Sequence, residues 1–400
     1  MRKGVLMSSR LPLAGIRVVE FGGYIAGPYC TSLLGSLGAE VIKIERPGSG
    51  DDFRRNLGTK SPYFVQYNSG KKSLSIDLKD PEGVDVIRSL LPDVDVLVEN
   101  LRPGKLDQLG LGYEDCRRMN PRLVYASITG FGEGGARAHA PAYDTIGQAF
   151  SGLYSILSDS GQPQLSGTAL ADLFTAVSAA TGILASVVRV ERTGEGQHLQ
   201  TSIAEALTAL TIDAFSQAHE DGDVVEPSRT SRHPQAQNFC VQASDGLSLA
   251  IHLSSSESFW ARLCRALGRP ELVQDARFAG YPERVANYPL LEDIVTEAVG
   301  AYPRSHWLRR FSEFDVPHSE VHTISSWLDD PQVKWLDLLE SHAVLPLVRV
   351  PWRFDGVRPD RSTVTPAVGQ DSVDFASEVV GAERVEALMS RGTLFAGHQG

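Results

Sequence analysis

Asp172 opens the run Ala169-Leu-Ala-Asp172-Leu-Phe-Thr-Ala-Val-Ser-Ala-Ala-Thr-Gly-Ile-Leu-Ala185, whose other residues are apolar, small or hydroxylic. Downstream, no lysine or arginine follows before Arg189. Two chemistries suit such a carboxylate. Asp is a favoured helix N-cap, and its charge complements the helix dipole. A carboxylate with an ordinary pKa near ~4 is also ionised at neutral pH, so it attacks as a nucleophile without a general base. Ala171, Ala176, Ala179 and Gly182 leave room for close packing or for a substrate. The residues alone leave both readings open.

Three basic points raise a second question: Arg46, the group Lys71-Lys72 with Lys79, and Arg102 in Val98-Glu-Asn100-Leu-Arg102-Pro-Gly104. Open α/β sheets bind ligands beyond the carboxyl ends of their strands. Bases at several such ends suit a phosphorylated ligand, and they suit an ordinary charged surface equally well. Other motifs fail on inspection. Gly130-Phe-Gly132-Glu-Gly134-Gly135 matches a dinucleotide fingerprint but runs into Ala136-Arg-Ala-His-Ala-Pro141 rather than a helix. Ser69-Gly70-Lys71-Lys72-Ser73 has lysine where a P-loop needs Ser or Thr. His318-Ser-Glu-Val-His322 misplaces the glutamate of a zinc protease. Cys30 sits in a helix first turn, where thiols are acidified, but a buried, inert thiol is the commoner state.

These residues need a scaffold. Ile16–Phe21 reads as a strand, Ala26-Gly27-Pro28 opens a helix ending near Gly38, and Glu40–Ile44 reads as a second strand. This is a βαβ unit. Helices at 84–91 and 113–119 then alternate with strands at 94–98 and 123–128, and 145–215 is largely helical. A polar stretch at 218–236 reads as a linker. A hairpin about Ser244-Asp245-Gly246 and helices at 256–267 and 304–313 form a smaller α+β domain. Residues 345–366 are punctuated by prolines, and a final helix covers roughly 377–391. At 400 residues the chain exceeds the ~250–300 that one core usually serves.

Composition narrows the function classes. A net charge of −11 without a long basic run argues against nucleic acid and anionic membranes. Four cysteines without CxxC spacing argue against a disulfide scaffold or structural zinc. The N-terminal apolar run breaks at Ser8-Ser9-Arg10, and Leu173–Val188 falls short of the ~20 residues of a membrane helix. A cytoplasmic protein is expected.

Taken together the motifs resemble the family III CoA-transferases, the CaiB/BaiF family, from about Leu11 to Gly392. The markers are Leu13-Ala-Gly-Ile-Arg-Val-Val-Glu-Phe21, Ala26-Gly27-Pro28, Gly38-Ala-Glu-Val-Ile-Lys-Ile-Glu45, Gly48-Ser-Gly-Asp51, Lys72-Ser-Leu-Ser-Ile-Asp-Leu-Lys79, Val98–Gly104, Gly130-Phe-Gly132, Ala142-Tyr143-Asp144 with Gln148–Gly152, and Thr193-Gly-Glu-Gly-Gln197. The resemblance implies an α/β fold in which two chains interlock, each with a Rossmann-like large domain and a small α+β domain. On it, 11–217 forms the large domain, 218–236 the linker, 237–334 the small domain, and 335–400 returns to the large one.

The resemblance places the catalytic nucleophile at Asp172, CoA contacts at Ala26, Arg46, Lys79, Asn100 and Arg102, and the acyl end at Tyr143 and Asp144. It implies transfer of CoA from an acyl-CoA such as succinyl-CoA to a carboxylic acid. The reaction would pass through aspartyl anhydrides and an aspartyl-CoA thioester, with CoA as substrate and without metal or redox cofactor. Ile25 replaces a glutamine of the formate/oxalate members, and Leu253-Ser-Ser-Ser-Glu-Ser258 stands where those have a glycine-rich flap. The alternative is an α-methylacyl-CoA racemase on the same fold. Those enzymes carry histidine where this chain has Tyr143, a poor base at neutral pH.

Overall fold

The strand expected at 16–21 is β1 (Arg17–Phe21), buried along nearly its whole length. In the computed structural model, which describes residues 11–219 and 226–397, it is joined by β2 (Glu40–Glu45), β3 (Lys72–Ile76), β4 (Val96–Glu99), β5 (Val124–Thr129) and β6 (Gln197–Ser202). Their order is β3-β2-β1-β4-β5-β6, all parallel. The C-terminal strand Leu394–Phe395 pairs antiparallel with β3, Leu394 opposite Ile76. Parallel strands covered on both faces read as near-continuous apolar runs, which makes β1, β2, β4 and β5 legible. The sequence reading assigns no strand to 72–76 and treats 145–215 as mostly helical, so β3 and β6 are corrections. Lys-Ser-Leu-Ser-Ile and Gln-His-Leu-Gln-Thr-Ser break the apolar run because their polar groups are satisfied in place. Ser73 donates to the buried Glu45 at 2.6 Å, and Ser127 on β5 bonds His198 on β6 at 2.9 Å.

Five helices matter for the site: α1 (Ala26–Ser36), α2 (Pro81–Leu90), α3 (Tyr113–Met119), α4 (Asp144–Phe150) and α5 (Leu170–Thr193). Helix α2 starts where Asp80 accepts from the Glu82 N–H at 3.0 Å and Pro81 supplies a pre-set φ. Its Val84, Ile87 and Leu90 bury one sheet face together with Phe375 and Leu388 of the C-terminal helices. On the other face α1 (Ala26, Cys30, Leu33, Leu34) meets α5 (Ala176, Ala179, Ala180, Ile183) over Val98 and Ala126. Small residues let the two helices and the sheet approach closely. Burial pushes the Cys30 thiol up, so this is the inert cysteine of the two readings. Helix α5 runs to 24 residues, so the length argument against a membrane span made from 173–188 does not hold.

The chain divides into two units. The described part of the first covers 11–153, 165–212 and 337–397, and contains the sheet above. The second covers 154–164, 213–219 and 226–336. Of the stretch read as a linker, 220–225 lies outside the described residues, while His233–Ala236 forms a helical turn. The second unit has its own antiparallel sheet of β7 (Asn238–Gln242), β8 (Ser248–His252) and β9 (His318–Glu320). Trp260, Leu263, Phe278, Leu291, Val295, Trp307 and Phe311 fill its core. In the segment aligned with a flap, Ser256 caps the helix Glu257–Ala266 by accepting from the Phe259 N–H at 3.3 Å.

Candidate active site

The strand order reverses between β1 and β4, and a cavity of about 580 Å³ opens there, past the carboxyl ends of the strands. Ala26, Arg46, Lys79, Asn100, Arg102, Tyr143 and Asp172 all line it. Residues 146 positions apart in sequence thus share one wall. Asp144 is not on that wall, and its place explains the geometry of Asp172.

Helix α5 begins at Leu170 with Ala169 as its N-cap, which offers no side-chain acceptor. Asp172 lies inside the first turn, so the capping reading is corrected. Asp144 does that work from another helix: its Oδ1 accepts from the N–H of Ala171 at 2.8 Å and of Asp172 at 3.2 Å. Its Oδ2 accepts from Gln148 at 2.6 Å. The Asp172 carboxylate is therefore not engaged in capping. Burial and the neighbouring Asp144 charge push its pKa up to about 7. The expectation of a carboxylate fully ionised with an ordinary pKa is corrected accordingly. A desolvated carboxylate of higher pKa is the better nucleophile once ionised.

Asn100 faces the same loop from β4. Its amide makes a reciprocal pair with Gly23, accepting from the N–H and donating to the carbonyl, both at 3.1 Å. A Cβ on Gly22 would lie 2.4 Å from the Asn100 oxygen, so only glycine permits this approach. Asn100 thus shapes the loop that carries Ala26, in addition to lining the cavity. Arg46 donates to the Gly50 carbonyl at 3.3 Å and pairs with Asp52. Arg46, Lys79 and Arg102 are exposed at the cavity rim.

Lys71 and Lys72 do not join them. Lys72 pairs with Asp371 at 3.1 Å. Lys71 is buried against Glu20 at 2.7 Å, and Glu20 also holds Lys43 at 2.6 Å. Lys43 reaches Asp51 at 2.8 Å and the Gly22 carbonyl at 2.8 Å, which ties this ion cluster to the floor of the loop. The two ammonium groups outweigh burial and hold Glu20 down at about 2. The Glu20, Lys43 and Asp51 positions within the sequence motifs are therefore scaffold rather than ligand.

The sequence reading also passed over Tyr24. It lines the cavity with Asp172 and Tyr143, and its backbone is left-handed at φ 63°. A tyrosine after Gly22-Gly23 was the one available signal. The Gly130–Gly135 run lies in the loop after β5, and no helix opens before Asp144. His322 falls near Glu320 and Asp330 in the second unit, at 3.8 and 3.7 Å.

Comparison with known proteins agrees with this arrangement. Residues 13–372 match the sequence profile of CoA-transferase family III. A succinyl-CoA:glutarate CoA-transferase of Mus musculus is 31% identical over 398 residues, covering 96% of this chain and 91% of that protein. An acetyl-CoA:oxalate CoA-transferase of Acetobacter aceti is 36% identical over 82% of this chain and 85% of its own. The crystal structure of a CaiB/BaiF family protein from Brucella suis superposes with a TM-score of 0.81 at 30% identity, covering 92% of this chain and 99% of that one.

Proposed function

The chain belongs to CoA-transferase family III, and we propose that it moves CoA from an acyl-CoA, with succinyl-CoA the favoured donor, to a carboxylic acid through covalent intermediates on Asp172. The observation that carries this is the Asp172 carboxylate itself: on the cavity wall, desolvated, and relieved of helix capping by Asp144. Asp172 attacks the thioester carbonyl carbon, the C–S bond breaks, and CoA leaves as thiolate with an aspartyl-acyl anhydride remaining. The thiolate attacks the aspartyl carbonyl, freeing the donor carboxylate and leaving an aspartyl-CoA thioester. The acceptor carboxylate attacks that thioester, and the released thiolate takes the acceptor acyl group from the new anhydride. Charge balances at every step, so no metal or redox group is called on. Arg46, Lys79 and Arg102 at the rim suit the CoA phosphates, and Tyr143 the acyl end. Backbone N–H groups of the Gly22-Gly23 loop suit the oxyanions.

The β3-β2-β1-β4-β5-β6 order supports a Rossmann-like large domain. Val177 and Val188 of α5 are 38% and 49% exposed, and Ile212 and Phe215 of the helix Thr208–Gln217 are 65% and 70% exposed. Apolar surface of this kind supports a homodimer, which light scattering of the purified protein tests. The racemase alternative is not favoured, because the relatives above carry transferase names.

The experiment is mass spectrometry after incubation with a panel of acyl-CoAs and hydroxylamine. A hydroxamate on Asp172 is the expected product. Unmodified Asp172 with every donor overturns the reading.

A further inference from the structure

Tyr24 pays a backbone penalty that its neighbours avoid. At φ 63° it occupies a conformation that L-residues with a bulky side chain rarely adopt, and such residues persist where surrounding structure holds them for a purpose. What holds it is aromatic: its ring meets Phe53 edge-on at 5.3 Å and Tyr143 edge-on at 5.7 Å. Its hydroxyl stands within hydrogen-bonding reach of both Asp52 and Tyr143. Asp52 is in turn held by Arg46.

The donors can be counted. Tyr24 and Tyr143 bring two O–H protons, and Asp52 is the one carboxylate acceptor that meets the pair. With one proton given to Asp52, the pair retains one O–H for an acceptor oxygen in the cavity that both residues line. The Asp172 carboxylate is perturbed by burial and by Asp144, with no cation acting on it among the described residues. An acyl group with a second carboxylate therefore meets neutral hydroxyl donors near the nucleophile rather than a cation of this chain.

Building on the transfer reading above, we infer that Tyr24, with Tyr143 as its hydrogen-bonded partner, is a specificity-determining residue that selects acyl groups bearing an acceptor oxygen at their far end, as in the monothioester of a dicarboxylic acid. The test compares succinyl-CoA with butyryl-CoA, equal in chain length but lacking the distal carboxylate. Binding is measured by calorimetry in the Asp172→Asn background, where neither donor acylates the protein, with and without Tyr24→Phe. A hydrogen bond to a charged group is worth about tenfold or more in affinity. Tyr24→Phe is therefore expected to weaken succinyl-CoA about tenfold while leaving butyryl-CoA within about twofold. Equal weakening of both donors, or of neither, overturns the inference.

Tyr24→Gly supplies a second readout. Glycine accepts φ 63° without strain, so this variant is expected to fold at least as stably in urea yet to lose the preference for succinyl-CoA. A destabilised variant that keeps the preference overturns the inference too. If Tyr24 governs binding while the wild type is acylated by no donor, the transfer reading fails and the subsite stands.

Discussion

Replacing Asp172 by asparagine is expected to make the protein more stable at neutral and alkaline pH. In the fold this carboxyl is raised from 3.8 to about 7 by burial and by Asp144. At about 1.4 kcal/mol per tenfold change in proton affinity, holding the ionised group in place costs about 4 kcal/mol, or about 2–3 kcal/mol once residual solvent access is allowed for. The sign follows from linkage. The folded pKa lies above the unfolded one, so the penalty is absent below about 4, grows between about 4 and 7, and is complete above about 7. Asparagine has the same shape, carries no charge, and presents an N–H₂ to the Asp144 side. Urea unfolding of wild type and Asp172→Asn at pH 8.5 and pH 5 measures the effect. The variant should be the more stable at pH 8.5, with well under half of that advantage left at pH 5. A variant that is no more stable at pH 8.5, or an advantage that does not change with pH, refutes the reasoning that this carboxylate is held against its solvation.

Three further outcomes follow from the same geometry. Acylation of Asp172 needs the ionised carboxylate, so its rate should climb about tenfold per pH unit below about 7 and level off above it; stopped-flow release of CoA thiol across pH 5.5–8.5 measures this, and a flat profile counts against it. Asp144→Ala removes the acceptor for two N–H groups of α5 and should cost about 1–2 kcal/mol in urea. Asp144→Asn, which keeps an acceptor oxygen but loses the charge, should cost less and shift the midpoint of the acylation profile to lower pH. Glu20→Gln leaves Lys43 and Lys71 buried with one fewer counter-charge, and should destabilise by about 3–5 kcal/mol; a loss below about 1 kcal/mol would show that the cluster is not the scaffold of the Gly22–Tyr24 loop.

By itself the sequence determined whatever is encoded over a few neighbouring residues. The apolar runs of β1, β2, β4 and β5, the Pro81 and Asp80 start of α2, and Tyr113–Met119 of α3 are readable because strand and helix periods are local. The order of the family markers likewise pointed to Asp172, Arg46, Lys79, Asn100, Arg102 and Tyr143, which the structure gathers around one cavity. Tertiary structure decided what those residues experience. Asp144 caps a helix that begins 26 residues later, Lys71 leaves the basic group for a buried carboxylate 51 residues upstream, and Tyr24 is held left-handed by rings from two other segments. The shift of Asp172 belongs to the same class. Desolvation and charge–charge repulsion depend on distances through space and on the water excluded between groups, and neither quantity exists until the chain has folded.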